Sequence, residues 1–350
     1  MKKTLIAASI AALAATSANA AVKIYESETG SLSSYGKIQL ELENYDGENT
    51  IQNQGSRLGF AGDTKLDNGM TAFTNFEFRF QPGLRNDTDM NVRNSYLGVK
   101  GDFGSVKAGN IDSIVYTMVT EQADIMENKG YRSLDEGENN SRATSIVYET
   151  NDLNGFKVAA NIKHYASKES QYGEDQVGPG NANKALASAD GKEQWNLQLG
   201  VSYQLNDELS FALAFDQNNK KGQPEYTYDS GDTDLIIAAS ALYETEQFGA
   251  GLVVEQTKDI IVTNLTGSVN YGAGDVYALV SFADVGKKAS FGGTDDSGVD
   301  FGLGVNYKLA DTFKVYGEVA VGNKKVSEIQ KTDGSGKGAT AVTVGAAYKW

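Results

Sequence analysis

The chain has no cysteine, which removes disulfide staples, thiol nucleophiles and cysteine-based metal sites together. It has one histidine, His164, and three prolines against 39 glycines in 350 residues. That balance suits strands joined by tight turns. Beyond the first twenty positions no run of about 18 apolar residues occurs, so no transmembrane helix is available. Basic residues are in deficit, 31 Lys and Arg against 46 Asp and Glu, for a formal net charge of −15. An acidic chain that exposes no basic patch is not expected to bind nucleic acid. Mean hydropathy is −0.39. A value that low fits a membrane protein only if every second residue faces lipid.

The first twenty residues stand apart. Lys2 and Lys3 precede an apolar run from Leu5 to Ala15, and the segment closes on Ala18-Asn19-Ala20. A positive start, a short apolar stretch and an A-x-A end make a cleavable secretory signal. Residues 1–20 are therefore excluded from the fold, and a single domain is expected over 21–350. Loss of the two lysines moves the net charge from −15 to −17.

The rest of the chain alternates. In Lys37-Ile38-Gln39-Leu40-Glu41-Leu42-Glu43, polar residues take the odd positions and aliphatic ones the even. Segments 74–80, 195–201, 299–307, 313–319 and 342–350 repeat the pattern. Period two means a strand with one apolar and one polar face. A soluble sandwich alternates too, but three details favour a membrane barrel. Aromatics cluster at the ends of the apolar parity: Tyr203, Tyr243, Phe248, Tyr271, Phe282, Tyr307, Phe313, Tyr348 and Trp350. Such rings prefer the headgroup boundary. Charges within the clearer strands keep to the polar parity, because one facing lipid near mid-membrane costs about 2–4 kcal/mol.

Connection lengths also alternate. Short turns fall at 63–69, 101–104, 151–155, 205–208, 244–247, 272–275 and 309–312. Long polar loops fall near 46–55, 81–90, 110–141, 166–193, 217–234, 256–262, 284–296 and 323–338. Seven short turns and eight long loops join sixteen strands with both termini on the short-turn side, the barrel habit. Sixteen strands enclose an aqueous lumen. The expectation is an all-β transmembrane antiparallel barrel of sixteen strands. Parity is blurred near 235–243, 256–264 and 275–283.

The polar parity lines the hole. It places Lys37, Arg57, Arg79, Arg93, Lys107, Lys157, Lys163, Lys314 and Lys349 inside, with Glu41, Glu43, Glu77, Asp216, Glu255, Asp300 and Glu318. Opposed walls of charge set ionic preference in pores. Lys37, Arg57, Arg79 and Arg93 come from the first four strands, so their charges converge on one patch. Like charges together need counter-charge. The long segment 110–141 offers Glu121, Asp124, Glu127, Asp135, Glu136 and Glu138. Folded inward, it would narrow the pore to a polarised slit.

Several segments resemble the general-diffusion porins of Gram-negative outer membranes: Ser34-Tyr35-Gly36-Lys37, residues 55–62 and residues 93–110. The terminal Tyr348-Lys349-Trp350 is similar to that family's barrel-assembly signal, here with Trp in place of Phe. The resemblance implies a homotrimeric sixteen-stranded barrel, with the third loop folded into the channel and outer-membrane lipid and lipopolysaccharide around it. It implies passive passage of small hydrophilic solutes and ions. It sets Lys37, Arg57 and Arg93 on the basic wall and Asp124 and Glu127 on the acidic loop tip. The Pro-Glu-Phe-Gly-Gly run typical of the family's enteric members is absent after Met126. Arg142 stands where a further wall arginine is expected, yet shares the parity of Ile146 and Tyr148, which faces lipid.

Other chemistry is poorly supplied. His164 shares parity with Val158 and Ile162 and points away from the lumen, so no enzyme is expected. Segments 229–234 and 294–298 lack the Glu-terminated twelve-residue calcium pattern and read as solvated loops; no metal or cofactor is expected. Two rivals stand beside a diffusion pore with mild cation preference. A sugar-selective channel would need a file of lumen aromatics, for which only Tyr277 and Tyr316 offer themselves. An adhesin or receptor would act through loops 166–193 and 217–234.

Overall fold

The computed structural model describes residues 21–80, 90–134, 143–165, 194–217, 235–257, 260–284, 297–323 and 337–350. Residues 1–20, Arg142, Asp135, Glu136, Glu138 and the loops 166–193 and 218–234 lie outside them.

The strands are β1 (Val22–Glu26), β2 (Gly30–Tyr45), β3 (Glu48–Asn53), β4 (Arg57–Lys65), β5 (Thr71–Arg79) and β6 (Asn91–Gly101). They continue with β7 (Gly104–Ile111), β8 (Ala143–Glu149), β9 (Phe156–Tyr165), β10 (Gln194–Gln204), β11 (Leu209–Gln217) and β12 (Leu235–Glu244). The last six are β13 (Phe248–Thr257), β14 (Ile260–Asn270), β15 (Asp275–Asp284), β16 (Ser297–Ala310), β17 (Phe313–Gly322) and β18 (Thr340–Lys349). Each pairs antiparallel with its successor from β4 onward, and β18 pairs back onto β2, closing the ring. β3 and β4 both pair with β2 and together make one wall strand, interrupted at Gln54-Gly55-Ser56. β1 takes the stretch of β2 that β18 leaves, Ser31 to Ser34, so β1 and β18 share one strand position. Sixteen wall strands result, as the alternation of turns and loops implies.

The ends meet at Gly36 and Trp350. Gly36 N–H donates to the Trp350 carbonyl at 2.9 Å and Trp350 N–H returns the bond at 3.1 Å. A Cβ on Gly36 would lie 2.5 Å from the indole ring, so only glycine admits the ring there.

Polarity is inverted relative to a soluble protein. On β2 the even residues Ile38, Leu40 and Leu42 are exposed, while Gln39, Glu41 and Glu43 are buried toward the lumen. Leu97, Leu265 and Val344 are 68%, 52% and 61% exposed. Only a lipid solvent makes that arrangement favourable. Rings mark the rims: Phe156 stacks on Tyr203 at 4.2 Å, and His164 lies 4.4 Å from the exposed Trp195, on the outward side. Leu265 sits mid-strand on β14, so Leu265→Arg is expected to lower folding stability by about 2–4 kcal/mol in a lipid refolding titration.

Three local features depart from the sequence expectation. Segment 46–55 is mostly a hairpin: Asp46 and Gly47 both have positive φ, 48° and 93°, the two-residue turn that matches strand twist, and β3 continues the pairing. The connection expected over 256–262 is short, since β13 runs to Thr257 and β14 starts at Ile260. The register of β5 with β6 slips between Glu77 and Phe78, where Glu77 faces Asn94 and Phe78 faces Val92. Arg93 is the extra residue. Strict alternation from Leu97 through Ser95 would send it to lipid; the bulge turns it inward.

Candidate functional site

The chain between β7 and β8 enters the barrel. Ser113 caps its short helix α1 (Ile114–Met118) by accepting the Tyr116 N–H at 2.9 Å, and Ile114 N–H donates to Gln198 on β10 at 3.0 Å. The buried face of α1, Ile114, Val115 and Met118, lies with Val119 and Ala123 on Ala159, Ala212, Ala214, Ala238 and Val253. Each large side chain so buried contributes about 1.5–3 kcal/mol. The wall beneath is small by design of its sequence: a Cβ on Gly200 would lie 2.5 Å from Ile114 Cγ2 and 2.6 Å from Met118 Sδ. Under α1, Gln198 Nε2 donates to Asp216 at 2.7 Å, Asn161 donates to Gln198 at 2.8 Å, and Lys163 pairs with Asp216 at 3.4 Å.

A 3-10 turn, Thr120–Ala123, carries the loop to its tip. Met126 packs on Tyr277 and Leu279, its sulfur filling space where Gly302 has no side chain. The tip is then held by carboxylates. Glu127 N–H and Asn128 N–H donate to the two oxygens of Glu318 at 2.7 and 3.1 Å, and Tyr277 Oη donates to the same group at 2.7 Å. Asn128 Nδ2 donates to Glu43 at 2.9 Å and to Thr343 at 2.9 Å. On the return, Ser133 and the Leu134 N–H donate to Glu255 at 2.8 and 2.9 Å. Hydrogen bonds to charged groups contribute about 1.5–3 kcal/mol each. The loop is fastened along its length, from β9 round to β2.

Across the remaining opening stand the cations. Lys37 is the direct cross-strand partner of Arg57, and Arg57 of Arg79. Arg93 joins them through the bulge and donates to Glu77 at 2.7 Å. Facing them, Tyr116 Oη donates to Asp124 at 3.3 Å. Burial raises the Glu121 carboxyl to about 7, helped by Asp112 and Asp124 and opposed by Arg93 and Arg57. Burial likewise raises Asp124 to about 6, against the Tyr116 hydrogen bond and the charges of Lys37 and Arg93. Wall surrounds Asp124, yet its side chain is open to lumen water, which offsets part of that push. The basic wall thus acts through space on both acids.

Glu127 is placed differently. Its carboxylate binds Lys314 of β17 and accepts from Gln39 Nε2 at 2.8 Å, while Lys37 Nζ donates to Gln39 Oε1 at 2.6 Å. Burial alone would raise it, but Lys314 and Lys37 outweigh that and hold it at about 2. Lys314, Gln39, Glu318 and Glu255 were not singled out from the sequence. Lumen parity was their only signal, because their partners lie on a loop far away in the chain.

Tyr277 and Tyr316, the two candidate sugar-stacking rings, are buried, 6% and 3% exposed. Tyr316 Oη donates to Glu41 at 2.9 Å, as Tyr277 does to Glu318. Neither presents a ring face to a saccharide. Among the described residues no group of three or more His, Asp or Glu is arranged to hold a metal ion.

Residues 7–320 match a family described as Gram-negative porin. A monosaccharide porin of a Halomonas species is 24% identical over 369 residues, covering 94% of this chain and 97% of that one. The major outer membrane protein P.IB of Neisseria meningitidis is 27% identical over 306 residues, covering 84% and 85%. Among solved structures, Salmonella typhi OmpF in complex with daunomycin superposes with a TM-score of 0.72 at 16% identity, covering 94% of this chain and all of that one. The trimer form of Vibrio cholerae OmpT gives 0.61 at 18% identity, covering 92% and 100%.

Proposed function

The chain belongs to the Gram-negative porin family and forms an outer-membrane channel for passive diffusion, and on that premise we propose that its selectivity is set between the folded loop and the cation row. The observation carrying this proposal is the opposition of Glu121 and Asp124 to Lys37, Arg57 and Arg93. Such a pair of walls makes a field across the path, so size exclusion acts together with charge. With Arg79 on the same row and Glu127 at the loop tip, these side chains make up the constriction; Arg142 is a further candidate, adjoining β8.

Mild cation preference follows in this reading from the carboxylates of the loop and of the wall behind it, Glu41, Glu43 and Glu318 among them. The passage of small hydrophilic solutes needs no catalysis and no cofactor. We further read the assembled protein as a homotrimer, as the Vibrio cholerae relative is in its trimer form. Lipopolysaccharide would surround it, and its Tyr348–Trp350 end would address the barrel-assembly machinery. Residues 1–20 serve as the export signal.

Reversal potential in a KCl gradient tests the preference: a potential of cation sign is expected, and clear anion selectivity would overturn it. The pH dependence has a definite sign. Glu121 and Asp124 carry their charge above their raised values of about 7 and about 6 and lose it below them. Cation preference is therefore expected to fall as pH drops from 8 to 5, while Glu127, held at about 2, stays ionised. A reversal potential constant over that range would remove these acids from the selectivity filter.

A further inference from the structure

The cations do not stop at the slit. Lys37 is the cross-strand partner of Lys349 on β18 as well as of Arg57 on β4. Lys314 on β17 is the partner of Lys308 on β16. All share lumen parity: Lys308 with Asn306 and Gly304, Lys314 with Tyr316 and Glu318, Lys349 with the buried Ala347. Lys308, Lys314, Lys349, Lys37 and Arg57 thus form one row over five neighbouring wall strands. One end lies beside the short turn at Asp311 and Thr312; the other reaches the slit.

Like charges directly opposite across strands are destabilising. The row holds Lys349 against Lys37, Lys37 against Arg57, and Lys308 against Lys314. Arg79 continues the like-charge run beyond Arg57, whereas opposite signs meet at Lys163 with Asp216 and at Arg93 with Glu77. Among the described residues, Glu127 binds Lys314, Asp275 lies 3.8 Å from Lys308, and Glu77 acts through space on Arg57. Lys308 remains half-exposed at the mouth. A soluble anion with several charges can bridge neighbouring ammonium groups and recover the repulsion among them.

We propose that this row is a binding site for polyvalent anions bearing phosphate groups, entered from the short-turn side of the barrel. The site rests on the reading of the lumen as an open water-filled channel, but its test separates the two.

The experiment uses purified protein in a planar bilayer carrying KCl, with inorganic pyrophosphate as probe at matched ionic strength. Pyrophosphate is expected to interrupt the KCl current reversibly, more strongly from the side of the short turns. Lys308→Gln with Lys349→Gln should weaken that block about tenfold or more, since two of the bridged charges are lost. Lys308→Arg with Lys349→Arg should keep it, which controls for folding. Block that is absent at matched ionic strength, equal from both sides, or unchanged in the glutamine variant would overturn the proposal. Absence of any KCl current would instead overturn the channel reading beneath it.

Discussion

Replacing Arg57 and Arg93 together by glutamine is expected to raise the cation-to-anion permeability ratio several-fold. Both side chains act on Glu121, and Arg93 also acts on Asp124, across the lumen. A unit charge about 7 Å from a passing ion in water-like surroundings is felt at about 0.6 kcal/mol, or roughly threefold in relative permeability. Two such charges removed give several-fold to tenfold at low salt, and less as screening grows. Loss of Arg93 also leaves Glu77 without the cation 2.7 Å away, adding a negative charge to the same wall. Reversal potential in a KCl gradient measures the change. An unaltered ratio would put the filter elsewhere in the barrel.

Gly200→Val is expected to reduce single-channel conductance substantially, roughly twofold or more, because the side chain it adds has nowhere to go. The new Cβ alone would lie 2.5 Å from Ile114 Cγ2 and 2.6 Å from Met118 Sδ, both on the buried face of α1. Ile114 is branched and fully buried, so the helix must shift toward the lumen. Overpacking of this kind costs about 1–3 kcal/mol. The loop is fastened further on by Glu318 and Glu255, so it would move inward as a whole rather than detach. Ile114→Ala in the same chain should restore the conductance by vacating the space. A valine variant of lowered stability and unchanged conductance would mean that the strand yields and the loop does not set the cross-section.

The wet strands were legible from residues alone, and the covered ones were not. On β2, β4, β5 and β17 the inner face meets water or charge, so polar parity is clean and the lumen side of Lys37, Arg57, Arg79 and Lys314 could be assigned directly. The blurred stretches near 235–243, 256–264 and 275–283 fall on β12, β14 and β15. There the inner positions Ile236, Ala238, Ile260, Val262, Leu279 and Ala283 are apolar. They lie in the clusters packed by the inward loop or beside them. The loss of parity was therefore itself a footprint of that loop. Small residues at Ala212, Ala214 and Gly200 were a second signal, marking where a helix could approach.

Two details were beyond local pattern. Parity was expected to set Arg93 inside with Lys37, Arg57 and Arg79. Alternation counted back from the exposed Leu97 instead points it to lipid, and the bulge beside Glu77 is what brings it in. The sequence resemblance set Glu127 against the basic wall; of that wall Lys37 acts on it, while its direct partners are Lys314 and Gln39. Which lysine meets which acid depends on the path of a loop that crosses the lumen, and no spacing along one strand encodes that path.

Single-channel conductance of the purified protein in a planar bilayer tests the central claim most directly. A barrel with an open polarised slit predicts a large ohmic current in KCl that added saccharides leave unchanged. No current at all, or a current blocked by saccharides, would contradict it.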